Sequence, residues 1–532
     1  MIQRNTLKYF RILVLLIFTI FSIYSISLLF NFSHTWVHRE YFGWVGNTIR
    51  WSGSDIGLND LLAGIQFSNA EDFSRPRFIN YILNDINVKF RLLLYSITIP
   101  FPNISIGAIS LIVLAPFLFF FTASRILKSR YMAWIATAVY VTSIGFLSSG
   151  VFLFHQGKPA THVVGLALLA LLSVLAFPAP GSAVAKVQKF GLQRPTLVSG
   201  VLLLNFVGIA FDESYLVLSM CGVLLFYRLF FPMSISSDEL RRSALSLGLF
   251  TLPFVVFIAF TAFVVPLIAV TTGVSNPNYV GFAIGRATHF DSSVFWGMFS
   301  EIVFATPAAS FVPTTYLRLE GWIYYAACVL YVILAYIAFL ALSHRRDVQK
   351  NQGQLGLVRT DAWIGSGLAS VSYLLFMSLL SMFHPHYDVG YYYGATFAIP
   401  FSLFLASALN FRSPLLTFVG STVLVWVTIM QIANFQDTND MWRTQHNSSI
   451  YRGYDRWGRA SLFSPELRSI TAVAPPTDDT VEERLARMQL LRTQWMDREG
   501  VSTTYSQNWP TEDLWFLVEL SWSRADPALV AR

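Results

Sequence analysis

The amino-acid sequence predicts an all-α polytopic membrane protein with about eleven transmembrane helices. Of its 532 residues, 54% are hydrophobic and only 13% are charged, whereas soluble domains carry about 25% charged residues. Apolar runs of about 20 residues, enough to cross roughly 30 Å of hydrocarbon as a helix, recur along the chain. The net charge of +7 comes from basic residues that lie between these runs. Because they form no single patch, no nucleic-acid partner is expected.

The first apolar run follows Arg4, Lys8 and Arg11. We interpret it as an uncleaved span because no small-residue cleavage site follows it. The fifth and sixth runs are short, and Asp212 and Glu213 lie between them. A hairpin there avoids two carboxylates in the middle of the bilayer, at about 2.5–3.5 kcal/mol each. The predicted spans are residues 9–30, 104–124, 131–153, 160–178, 196–211, 214–231, 243–270, 322–342, 361–383, 388–409 and 414–433.

Basic residues favour alternate gaps between the spans, as cytoplasmic loops do. This pattern predicts a cytoplasmic N-terminus and an extracytoplasmic C-terminus, in a bacterial inner membrane. Residues 1–433 then form the transmembrane domain, which includes two long extracytoplasmic segments, 31–103 and 271–321. The first of these segments contains stretches typical of interfacial amphipathic helices. Residues 434–532 lose the apolar runs and form a polar extracytoplasmic region, where a protein partner could bind.

Four polar clusters lie on the predicted extracytoplasmic side, and the first contains Glu71, Asp72, Arg75 and Arg77. Adjacent carboxylates can take a proton from a hydroxyl group or hold a divalent cation such as Mg²⁺ or Mn²⁺. Arginine pairs bidentately with phosphate. A solvated cluster of ion pairs at a helix N-terminus is the structural alternative. The sequence leaves metal dependence open.

The second cluster contains His155, Lys158 and His162, at the predicted turn between the third and fourth spans. Lys158 could contact a phosphate group with an imidazole nearby. Alternatively, a lysine at this depth extends its amine towards water. The two histidines are seven residues apart across a proline, which does not match helical metal-ligand spacing.

The third cluster is Asp212 and Glu213, and the fourth contains His384, His386 and Asp388. Carboxylates at membrane depth are expensive and often functional, although a hairpin emerging into water would remove that cost. In the fourth cluster, the histidines are two residues apart and need extended backbone to converge on a ligand. Three tyrosines follow, as in an aromatic belt at the membrane interface.

These features together resemble the GT-C superfamily of membrane glycosyltransferases over about residues 1–433. The resemblance rests on the number of spans, the long first extracytoplasmic segment and the acidic pair Glu71 and Asp72, followed by the Arg-Pro element within residues 74–78. It implies transfer of a sugar from a polyprenyl-phosphate donor, with inversion, on the extracytoplasmic face. The acidic pair lies about forty residues after the first span, farther than in many members of that superfamily.

The resemblance implies that Asp72 or Glu71 acts as the catalytic base, with the other on a metal ion. Arg75, Arg77 and Lys158 would neutralise the departing phosphate. Six further residues belong to the expected site. Asp212 and Glu213 are catalytic candidates, and the substrate-binding candidates are His155, His384, His386 and Asp388.

Two other classes of function also fit the sequence. A non-catalytic scaffold or accessory subunit would combine apolar helices with a polar tail, and its charged residues would be individually paired. A transporter would need ionisable residues near the bilayer midplane and interrupted helices in two matching halves. The sequence has neither feature of a transporter.

Overall fold

A computed structural model describes residues 2–32, 79–80, 83, 86–87, 90, 105–151, 157–177, 195–212, 214–231, 236–260, 263, 363–376, 395–408 and 414–446. Within these ranges the chain is helical and contains no strand. The helices are α1 (Ile2–Phe32), α2 (Ile106–Leu127), α3 (Arg130–Val141), α4 (Ile144–Val151), α5 (Gly157–Ala176), α6 (Pro195–Phe211), α7 (Ser214–Leu225), α8 (Tyr227–Phe230), α9 (Ser237–Ala259), α10 (Trp363–Phe376), α11 (Ala398–Ala408) and α12 (Pro414–His446). A 3-10 turn, Ala395–Phe397, precedes α11.

Five helices of the described part are long and apolar enough to cross a membrane, which confirms the helical membrane class. Their spanning windows are Tyr9–Leu29, Ile106–Leu127, Gly157–Ala176, Ser237–Ala259 and Phe418–Gln436. Helices α3 and α4 together make a sixth candidate. The total of eleven spans, the orientation of the termini and the division into residues 1–433 and 434–532 remain predictions.

The third predicted span, 131–153, is bent instead of straight. Its two halves, α3 and α4, meet at an angle of 54°. At the break, Thr142 Oγ1 donates a hydrogen bond to the Ala138 carbonyl oxygen at 2.9 Å. The Ser143 hydroxyl accepts one from the Phe146 amide at 3.1 Å. Ser143 thus caps the first turn of α4, and the Thr142 hydroxyl adds a second hydrogen bond to a carbonyl oxygen that already accepts from the Thr142 amide.

The predicted hairpin between the fifth and sixth spans is present, because α6 ends at Phe211 and α7 begins at Ser214. The ring of Tyr215 lies directly over Gly208, where a Cβ atom would come within 2.3 Å of it. The Tyr215 hydroxyl donates a hydrogen bond to Asn205 Oδ1 at 3.1 Å, and Asn205 Nδ2 donates to the Phe250 carbonyl oxygen at 3.0 Å. Asn205 therefore ties α6 to both α7 and α9.

One end of the bundle is basic. Arg125, near the end of α2, donates hydrogen bonds to the carbonyl oxygens of Ser173, in the last turn of α5, and Phe177, just after that helix. Lys128 lies 4.6 Å from the centroid of the Phe177 ring. Partial burial, reinforced by the charge of Arg125, lowers the pKa of the Lys128 amine. We call this the basic end, and it also contains Arg11, whose guanidinium lies 5.5 Å from the Tyr131 ring centroid.

Helices α1 and α12 run parallel. Phe10 packs on Phe418 near their N-terminal ends, with ring centroids 5.1 Å apart, and Gln436 donates a hydrogen bond to the Tyr24 hydroxyl at 2.6 Å. Helix α12 continues to His446 and so runs past the predicted span boundary at residue 433.

Candidate functional site

The central feature of the candidate site is a buried ion pair between Lys158 and Asp212. Lys158 lies in the first turn of α5, and Asp212 follows the last residue of α6. The Lys158 Nζ donates a hydrogen bond to Asp212 Oδ1 at 2.9 Å, and both residues are only 1% exposed. The second and third polar clusters of the sequence therefore meet at one place. We call the end of the bundle that contains this ion pair the paired end.

Two sequence-based alternatives are wrong for these residues. Lys158 and His162 lie within helix α5 and are buried, so they do not occupy a turn, and the Lys158 amine does not extend towards water. The α6–α7 hairpin does not carry Asp212 into solvent. Each charge instead meets its counter-charge inside the protein, which is how a buried ion avoids the full cost of leaving water.

The paired end lies opposite the basic end. Helix α5 has 20 residues, so its first turn and its last are about 30 Å apart. Leu29, near the end of α1, and Leu111, in the first turns of α2, both approach Gly150 near the end of α4. The start of α5 therefore lies at the same end of the bundle as the end of α1 and the start of α2, and Arg125 lies at the other end.

A glycine lets the first long segment approach the ion pair closely. A Cβ atom on Gly157 would lie 3.1 Å from Asn80 Oδ1 and 3.0 Å from the Phe211 carbonyl oxygen. Asn80 is 2% exposed, and its Oδ1 has no hydrogen-bond partner in the structure. Seven residues later, Asn87 Oδ1 accepts a hydrogen bond from the Ile106 amide at 3.0 Å. Two asparagines of segment 31–103 thus contact the first residues of α5 and α2.

His162 occupies a separate polar network one turn further along α5. Its Nδ1 lies 2.8 Å from the Tyr140 hydroxyl, and its Nε2 lies 3.1 Å from the Ser149 hydroxyl. Ser149 Oγ also donates its proton to the Gly145 carbonyl oxygen at 2.8 Å. Ser149 must therefore accept from Nε2–H, which leaves Nδ1 to accept from Tyr140.

A neutral imidazole protonated on Nε2 fits this pattern, because both ring nitrogens and the Ser149 hydroxyl then have partners. In that tautomer His162 donates to Ser149 and does not act as its base. The network joins α3, α4 and α5 across the 54° bend. We therefore interpret His162 as a residue that holds the bend beside the first turn of α5.

Replacing Tyr140 by Phe should destabilise the protein by about 1 kcal/mol, because His162 Nδ1 loses its only donor while remaining buried. The aromatic ring would remain stacked on Phe119, at 4.6 Å between centroids. Thermal unfolding in detergent measures the change. Tyr9→Phe, at a residue that is 70% exposed, is the control and should change nothing. Equal stability of the Tyr140 variant and the native chain would contradict the assigned network.

The structure places only two of the residues assigned to the site from sequence, Lys158 and Asp212, and it brings them together. The other members of the predicted site lie outside the described residues: Glu71, Asp72, Arg75, Arg77, His155, Glu213, His384, His386 and Asp388. Their positions and roles remain predictions.

Several polar residues at this site were missed by sequence reasoning. Asn80, Asn205, Tyr140 and Ser149 are all buried, and each makes a polar contact across helices or contacts the first turn of α5. An asparagine inside a predicted span, such as Asn205, is a usable signal because an amide in an apolar helix needs a partner. Tyr140 and Ser149 give no comparable signal, since both are common in spans.

No group of three His, Cys, Asp or Glu side chains capable of holding a metal ion occurs among the described residues. Glu71 and Asp72, the residues proposed to bind a cation, lie outside that part of the chain. No protein-family model, curated protein or solved structure matches the chain.

Proposed function

We propose that this protein is a membrane glycosyltransferase that takes a sugar from a polyprenyl-phosphate donor at the paired end of its helix bundle. The observation that supports this proposal is the contact between Asn80 and Gly157, beside the Lys158–Asp212 ion pair. It connects the segment that carries the acidic pair and the Arg-Pro element with the second and third polar clusters. The second and third clusters meet at this end, and the first cluster precedes Asn80 by a few residues in the sequence.

Covalent geometry limits how far the Arg-Pro element can lie from this end. Arg77 is three residues from Asn80 in the sequence. Three residues span at most about 11 Å, so the Arg77 Cα lies within that distance of the Asn80 Cα. An extended arginine side chain adds several ångströms of reach. The guanidinium can therefore approach the membrane surface above the ion pair, where a lipid phosphate would lie.

The buried ion pair separates the residues that support the proposed site from those that contact its substrates. Because Lys158 and Asp212 neutralise each other at 2.9 Å and are covered, we assign them to the support of the site. Arg75 and Arg77 then contact the donor phosphate, and Asp72 or Glu71 accepts the proton of the acceptor hydroxyl. The bond between the sugar C1 and the phosphate oxygen breaks as the acceptor oxygen bonds to C1. The two arginines stabilise the negative charge that develops on the phosphate.

The test is release of polyprenyl phosphate by the full chain in lipid nanodiscs. The donors are a panel of polyprenyl-phosphate hexoses and pentoses with labelled sugars, and the acceptors are extracted envelope glycans. We expect one donor to react, and we expect turnover to fall about a hundredfold or more when the true base is changed by Asp72→Asn or Glu71→Gln. Asp238→Asn, at an exposed carboxylate in the first turn of α9, is the control. Inertness of every donor, or near-native turnover in both the Asp72→Asn and the Glu71→Gln variants, would end the proposal.

A scaffold or accessory subunit is the second candidate function. The ion pair itself favours it, because two buried charges that neutralise each other can specify helix packing without taking part in a reaction. On this alternative the chain is inert towards every donor and co-purifies with a second membrane protein. Loss of that co-purification on removal of residues 447–532 would locate the partner on the C-terminal region.

A further inference from the structure

The exposed surface between α1 and α3 at the basic end has a polar part and an apolar part. Arg11 and Arg130 are both exposed. Tyr131 is the residue after Arg130, and its ring centroid lies 5.5 Å from the Arg11 guanidinium carbon. Within the part of the chain that the structure describes, neither arginine forms an ion pair. The first turn of α3 contains no acidic residue. Two exposed arginines, one lying on the Tyr131 ring and one at the first residue of α3, therefore mark the start of this surface, and neither is balanced by a carboxylate among the described residues.

An apolar stripe extends along α1 from this pair of arginines. Ile12, Leu16, Thr19 and Ile23 follow each other at intervals of three or four residues and so share one face of the helix. The three aliphatic members are 45%, 55% and 64% exposed, respectively. Only 28% of the spanning window of α1 is buried, so this face is available to lipid.

A tryptophan on α3 borders the same stripe. Trp134 is 44% exposed and lies one helical turn after Arg130, on the same face of α3. Its indole Nε1 donates a hydrogen bond to Thr19 Oγ1 at 3.4 Å, and its ring packs edge-on against Phe120. The indole and the exposed stripe of α1 thus form one apolar surface. The two arginines lie at its start.

We propose that this surface, which we call the α1–α3 surface, binds one anionic phospholipid. Arg11 and Arg130 hold the phosphate and the anionic headgroup, because guanidinium groups pair bidentately with phosphate oxygens. An acyl chain lies against Trp134 and the exposed aliphatic side chains of α1. Arg125 and Lys128, two other cations of the basic end, do not contribute directly. Arg125 already binds the carbonyl oxygens of α5, and Lys128 lies on the Phe177 ring.

The experiment compares lipid retention by variants of the full chain. The protein is reconstituted in nanodiscs of phosphatidylcholine with one fifth phosphatidylglycerol, released into mild detergent and examined by native mass spectrometry. The native chain should retain one phosphatidylglycerol in preference to phosphatidylcholine. A basic residue near anionic lipid contributes about 1 kcal/mol. Arg11→Gln and Arg130→Gln should therefore each lower the preference about fivefold, and together more than twentyfold.

Two controls separate a specific site from general attraction. Arg241→Gln removes an exposed arginine of α9 and should leave the preference unchanged. Trp134→Ala should lower retention of both lipids without changing the preference between them. Equal losses in the Arg241 and Arg11 variants, or an undiminished preference in the double variant, would overturn the proposal. Competition by millimolar inorganic phosphate would also overturn it, since the site would then bind a free anion.

Discussion

Replacing Lys158 by Met should destabilise the protein by about 3–5 kcal/mol, enough to remove most of the folded material. The methionine fills a similar volume but leaves Asp212 buried, charged and without its 2.9 Å partner. Breaking a buried ion pair by removing one member costs this much because the remaining charge has lost both water and its counter-charge. Detergent-extracted yield and the midpoint of thermal unfolding measure the effect.

The double variant Lys158→Met/Asp212→Leu should recover most of the loss, since two apolar side chains often replace a buried pair at little or no cost. Lys128→Met is the matched control, because Lys128 is partly exposed at the basic end and should lose less than about 1 kcal/mol. A Lys158 variant as stable as the Lys128 variant would show that the pair does not support the fold. A double variant as unstable as the single one would show that packing, and not charge, is responsible.

Replacing Gly208 by Ala should destabilise the α6–α7 hairpin by about 2–3 kcal/mol. The new methyl group would lie 2.3 Å from ring atoms of Tyr215, closer than any real contact. The ring cannot move away easily, because the Tyr215 hydroxyl is bonded to Asn205, which also binds α7 and α9. The added methyl group therefore strains the packing and disturbs a buried hydrogen-bond network.

Gly248→Ala is the control for this prediction, because nothing lies within 4 Å of a Cβ atom at that position. Gly248 lies within α9, where alanine should stabilise the helix by up to about 1 kcal/mol. Thermal unfolding of both variants in the same detergent should therefore move in opposite directions. A Gly208 variant that unfolds at or above the native temperature would contradict the close packing of Tyr215 on α6.

Helix boundaries that depend only on the length and polarity of a single apolar run were predicted well from the sequence. Helix α2 begins two residues after its predicted start, and α6 ends at Phe211 as expected. The hairpin at Asp212 followed from the cost of mid-bilayer carboxylates. The bend at Thr142 and Ser143 was not predicted, because hydroxyl side chains occur in straight helices as well as in broken ones. His162 contacts Tyr140 before the bend and Ser149 after it, and a single sequence does not reveal these contacts.

The partners of the site residues depend on tertiary contacts that one sequence does not reveal. Lys158 and Asp212 were both selected, but for separate reasons and as members of separate clusters. Their contact joins positions 54 residues apart in the chain, and Asn80 approaches Gly157 from a third segment. Charge and depth in the membrane identify the individual residues. Only the folded arrangement shows that the lysine and the aspartate neutralise each other.

The 54-residue separation between Lys158 and Asp212 affects the synthesis of the protein. Ribosomes add about 5–20 residues per second, so Lys158 leaves the ribosome roughly 3–11 s before its counter-ion. During that interval the first turn of α5 carries an unbalanced ammonium group, which is most stable among the lipid headgroups. Entry of α6 into the membrane then supplies the carboxylate and allows α5 to settle. The order of translation thus makes insertion of the α6–α7 hairpin the step that neutralises Lys158.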